Sequence, residues 1–90
     1  MKFTPFETNR HSGGIQKKYK FSNGYGASVV RHDFSYGREE GKWEIAVLKF
    51  DGDKFSLDYS TPITDDVLGW QSDEDVENVL AQIEKLPQWK

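Results

Sequence analysis

Apolar and polar side chains alternate at Lys18-Tyr19-Lys20-Phe21, which puts the two aromatics on one side and the lysines on the other. That period of two predicts a half-buried strand beginning at Lys17. Asn23-Gly24 follows, and both residues accept positive φ, so a turn is expected. The next stretch, GASVVRHDF, is rich in β-formers and has Val29 and Val30 adjacent. The most apolar run is WEIAVLKF, from Trp43 to Phe50. Trp43, Ile45 and Val47 occupy its odd positions and Ala46, Leu48 and Phe50 its even ones. Apolar residues on both faces predict a central strand covered, at least in part, on both sides. Asp51-Gly52-Asp53 then separates that run from KFSLDYS, where Phe55, Leu57 and Tyr59 alternate with Lys54, Ser56 and Asp58. A D-G turn between two such runs predicts a hairpin. Pro62 is expected to end the strand, since it has no N–H to give a ladder.

The last third changes period. TDDVLGW predicts one helical turn capped by Thr64 and stopped by Gly69. Ser72 then opens SDEDVENVLAQIEKLP as an N-cap, with Asp73, Glu74 and Asp75 in the first turn, where the helix dipole favours anions. Val76, Val79, Leu80, Ile83 and Leu86 recur at spacings of three and four, which predicts one apolar stripe. Such a stripe requires a sheet to cover it, at about 1.5–3 kcal/mol per fully buried aliphatic side chain. The expected order is β-β-β-β-α. This is an α+β fold, a four-stranded antiparallel meander with the C-terminal helix packed on one face. Residues 1–16, with Pro5, Ser12, Gly13 and Gly14, read as a flexible arm anchored by Phe3 and Phe6, and residues 17–90 as one domain.

Composition narrows the chemistry. The 90 residues are enough for one small core, and although only 36% are hydrophobic, three Trp, four Tyr and six Phe supply large buried areas. With no cysteine there is no disulfide, no thiolate metal site and no cysteine nucleophile, which fits a reducing compartment. No signal-peptide core and no apolar run of the roughly 20 residues needed to cross a bilayer is present. The expectation is a soluble protein of the cytoplasm. The net charge of −3 is unevenly spread: residues 1–49 sum to +4 and residues 50–90 to −7. Asymmetry of this kind polarises a surface and steers charged partners.

His32 and Asp33 are neighbours on a strand and point to opposite faces, so they form no dyad, and no nucleophile turn accompanies them. The Arg38, Glu39 and Glu40 cluster lies between Gly37 and Gly41 and reads as a solvated loop; a glycosidase needs two carboxylates facing each other across a cleft. Asp51, Asp53 and Asp58 do not fit the calcium-loop pattern, whose fifth, sixth and twelfth positions here would be Phe55, Ser56 and Pro62. No phosphate-binding or zinc motif occurs, and neither a metal, a cofactor nor a catalytic residue is expected. Phe34, Tyr36, Arg38 and Trp43 bring to the 34–43 loop the residue types that dominate protein interfaces. Asp65, Asp66, Asp73, Glu74 and Asp75 form an acidic surface that suits a basic partner, or simply serve the local chemistry of helix starts. Lys17, Lys18, Lys20 and Arg31 suggest a nucleic-acid surface. Against it, alternation puts the lysines opposite Tyr19 and Phe21, and the pI is about 5.3.

The segments NGYGASVVRHDFSYGREEGKWEIAVL and DYSTPITDDVLGWQSDEDVENVLAQIEKL resemble a family of small bacteriophage-encoded proteins of uncharacterised activity. The marks are NGYG-x-S-V-V, W-E-x-A-V-L and T-P-I-T-D-D-V, and the likeness spans about residues 20–86. It implies a phage origin and expression in a bacterial host. It carries no catalytic residues and no activity.

The expectation from sequence is therefore a non-enzymatic phage-type accessory protein. It binds a host or phage protein through Phe34, Tyr36, Arg38, Glu39 and Glu40 and through the acids at 65, 66 and 73–75. The alternative is a nucleic-acid-binding module using the Lys17–Arg31 hairpin.

Overall fold

The computed structural model describes residues 3–11, 14–31, 42–52, 54–58, 63 and 68–88. Six strands, β1 (Glu7–His11), β2 (Gly14–Lys20), β3 (Tyr25–Arg31), β4 (Trp43–Asp51), β5 (Lys54–Leu57) and β6 (Leu68–Gln71), precede one helix, α1 (Asp73–Glu84). The sheet runs β1-β2-β3-β4-β5 with every pairing antiparallel, and β6 also pairs with β4. The α+β class and the C-terminal helix are as expected, but the sheet has six strands rather than four.

Both additional strands have a physical origin. β1 lies within the segment read as an arm, where no alternating pattern marks it; it pairs along β2 from Glu7↔Lys18 to His11↔Gly14. β6 begins at Leu68, inside the stretch where the sequence places the end of a helical turn; positions 64–67 of that expected turn lie outside the described residues. β5 is short: its register covers Leu48–Asp51, with the Asp58 N–H donating to the Val47 carbonyl at 2.9 Å just beyond it, and β6 takes the Trp43–Ile45 part of that edge of β4. There Leu68 lies opposite Ile45 and Gln71 opposite Trp43, with a register shift between the two pairs. The strand at Leu68–Gln71 thus fills the part of the β4 edge that β5 does not reach.

The turns follow their sequences. Gly24 (φ 88°) and Gly52 (φ 65°) adopt the left-handed conformation in the β2–β3 and β4–β5 connections. Helix α1 is capped as its sequence requires. The Ser72 hydroxyl accepts from the Asp75 N–H, and the Asp75 carboxylate accepts from the Ser72 N–H. Val76, Val79, Leu80 and Ile83 are buried, and Leu86 packs at the margin of the same core. They meet Tyr19, Ala27, Val29, Trp43, Ile45 and Val47, the residues that register and alternation place on one face of β2, β3 and β4.

The sheet curls away from that helix. Phe6, just before β1, lies 5.9 Å (ring centroids) from Phe50 of β4, and Phe50 lies 5.6 Å from Phe55 of β5. In a flat sheet three strand spacings would separate β1 from β4 by about 14 Å. Gly26 permits this. A Cβ there would lie 2.1 Å from the Tyr19 carbonyl oxygen and 2.5 Å from Phe50 Cε2. The Phe50 ring therefore occupies the space over a residue without a side chain.

Candidate functional site

The face opposite α1 is half of a barrel, and its residues come from five strands. Register and alternation place Glu7 and Asn9 of β1 on it with Gln16, Lys18 and Lys20 of β2, Ser28 of β3, Leu48 and Phe50 of β4, and Phe55 and Leu57 of β5. Leu48 and Phe50 are buried in the curl. Phe6, Phe55 and Leu57 are not: they remain 53%, 46% and 53% exposed. Alternation in KFSL signals an apolar face, and β5 has one, but among the described residues it stays largely exposed.

Cations lie among these rings. The Lys18 ammonium lies 4.7 Å from the Phe55 centroid and the Lys20 ammonium 5.1 Å from that of Phe50. Lys20 also donates to the Gly52 carbonyl at 3.3 Å. Lys18 pairs with Glu7 at 3.1 Å. The Asn9 amide, donating at 2.8 Å, and then the Lys18 ammonium hold the Glu7 carboxyl below its ordinary pKa. From there a polar row crosses the sheet, from Asn9 to Gln16 at 3.5 Å and from Gln16 to Ser28 at 3.0 Å. Phe6, Glu7, Lys18, Lys20, Phe50 and Phe55 line a recess of about 320 Å³.

Within β2, Lys18 and Lys20 do lie opposite Tyr19, which is buried against the helix, whereas Lys17 shares the Tyr19 face. The aromatic partners of Lys18 and Lys20 come instead from β4 and β5. The objection that charge and stacking surface are separated therefore holds along one strand and fails across the curled sheet. Lys17 lies on the other face, its ammonium 5.0 Å from the Trp43 ring centroid, and the Arg31 guanidinium carbon lies 4.3 Å from the same ring.

The acidic helix start is partly committed to the fold. Asp73 accepts the Trp43 indole Nε1–H at 2.7 Å, and Asp75 completes the capping box, where the Ser72 N–H and hydroxyl keep its pKa low. Asp73, Glu74 and Asp75 are all solvent-exposed as residues. Phe34, Tyr36, Arg38, Glu39, Glu40, Asp65 and Asp66 lie outside the described residues, as does His32. Asp58 is buried, with Lys49 at 3.8 Å, rather than part of an open cation loop. Among the described residues no cluster of three or more potential metal ligands occurs, and no helix is long and apolar enough to cross a membrane. Among the described residues one further large apolar side chain is exposed: Trp70 of β6, 58% accessible and at φ 61°, a conformation uncommon outside glycine.

In comparisons with protein families, curated proteins and solved structures, nothing matches this chain.

Proposed function

We propose that the protein is a small non-enzymatic accessory protein, of the phage type that its sequence resembles, and that it binds another protein on the open face of its sheet. One observation carries this reading. Phe6, Phe55 and Leu57 stay exposed together beside the buried Phe50 ring. A contiguous apolar patch rimmed by polar groups is the usual mark of an interaction surface. The curl presents it as a concavity on rigid strands, so little order has to be gained on binding. The test is capture from bacterial lysate by wild type and by the Phe6→Ser/Phe55→Ser variant. Both positions are exposed, so the fold is expected to persist. A protein retained by wild type and lost by the variant supports the reading; equal retention refutes it.

A second reading, single-stranded nucleic acid on the same face, draws on Lys18 and Lys20 lying over Phe55 and Phe50. Cation and stacking surface then share one groove, as such binding requires. It predicts a mobility shift that weakens steeply with salt and with Lys18→Gln/Lys20→Gln.

A further inference from the structure

We infer that the segment seated on the open face is an acidic stretch of a partner protein with an aromatic or long aliphatic anchor. This rests on the protein-binding reading above and specifies the partner's chemistry.

The recess supplies the anchor site. Phe6 and Phe55 flank Phe50, and the volume of about 320 Å³ is at the lower end of the range for binding pockets, suited to one bulky side chain. Lys20, Phe50 and Gly52 also border a second hollow of about 310 Å³, whose other walls include Phe21, Asn23 and Gln88. A segment with its anchor in the first hollow passes Lys20 on the side of the second.

The charges select the flanks of that segment. Two lysines face one carboxylate at the recess, in a protein whose net charge is −3. Glu7 is already engaged by Lys18 and Asn9. Lys20 gives one hydrogen bond to Gly52, and an ammonium has three donors. A carboxylate arriving beside an anchored ring therefore finds an ammonium already held over the aromatic floor, and the pairing is desolvated on one side by Phe50 and Phe55. A nucleic-acid strand is served less well. It requires a track of cations, whereas this recess offers only Lys18 and Lys20, enough for one or two carboxylates beside an anchor.

The test is selection from a displayed library of random linear peptides on wild type, on Phe6→Ser/Phe55→Ser and on Lys18→Gln/Lys20→Gln. Oligothymidylate is titrated in parallel. The expected result is enrichment of peptides with an aromatic or Leu/Ile anchor flanked by Asp and Glu, lost on the first variant. On the second variant they are expected to bind roughly tenfold more weakly. Glu7→Gln, which frees Lys18, is expected to bind them more tightly. Enriched peptides that need Phe6 and Phe55 but carry no acids would overturn the inference and leave the open face as a docking site. No enrichment dependent on Phe6 and Phe55, or binding of oligothymidylate in preference to every peptide, would overturn both.

Discussion

Trp43 donates its indole N–H to the Asp73 carboxylate at 2.7 Å, which ties the start of the central strand to the first turn of the helix. Trp43 is otherwise buried, with Arg31 and Lys17 against its ring. Removing the acceptor leaves that N–H without its partner. Asp73→Ala is expected to cost about 1–3 kcal/mol in denaturant unfolding, and Asp73→Asn, which keeps an acceptor oxygen, distinctly less. Equal losses for the two would show that charge at the helix start, rather than the bond, is what matters.

Asn23 closes the other end of the helix. Its side-chain amide donates to the carbonyls of Ile83 (2.8 Å), Glu84 (3.2 Å) and Leu86 (3.0 Å), while its Oδ1 accepts the Tyr25 N–H at 3.0 Å. Asn23→Ala is expected to lower stability by about 1–3 kcal/mol. Asn23→Asp keeps the turn acceptor but points a carboxylate at the negative end of the helix dipole, and is expected to be no better at neutral pH. Thermal melts of the two variants decide this.

Gly26 is where the sheet can curl. Gly26→Ala inserts a methyl group against the Tyr19 carbonyl, which is backbone and has little room to yield. The expected loss is at least about 1–3 kcal/mol, together with perturbed Phe50 and Phe6 ring resonances. An alanine variant as stable as wild type would mean that the curl does not depend on this contact.

Tyr19 gives a prediction with a defined sign. Burial first, and the Glu77 charge second, push its hydroxyl pKa up, and that oxygen has no hydrogen-bond partner among the described residues. In the unfolded chain a tyrosine ionises near pH 10. Above that pH the unfolded state holds fewer protons than the folded one, so stability falls as pH rises. Below it the contribution is flat. Tyr19→Phe is expected to leave neutral-pH stability unchanged or slightly raised and to flatten the alkaline loss, measured as unfolding midpoints from pH 8 upward. A large loss at pH 7 would mean that the hydroxyl is satisfied after all.

Much of this architecture is legible in the sequence, and the exceptions share a cause. The helix stripe, its capping serine, the hairpin glycines and the two-faced strand Trp43–Phe50 are local patterns, and the structure reproduces them. β6 is not local: Leu-Gly-Trp-Gln pairs with the part of the β4 edge that β5 leaves free, a tertiary circumstance with no mark in the segment itself. Asn23 reads as a turn residue, and nothing nearby signals that its amide will reach the helix end some sixty residues later. The candidate face is partly legible. Alternation announces that Phe55 and Leu57 share a side, but not that the side stays open. The lysines of β2 meet rings of β4 and β5 only once the sheet has curled.

The most direct test of the open face as the docking surface is site-specific photocrosslinking at Leu57 on that face and at Gln82 on the exposed side of the helix. Both positions are solvent-accessible, so both probes are tolerated. With the captured partner protein present, a crosslinked product is expected from position 57 and none from position 82, and Phe6→Ser/Phe55→Ser is expected to abolish it. A product from position 82 alone would place the partner on the helix side and contradict the account.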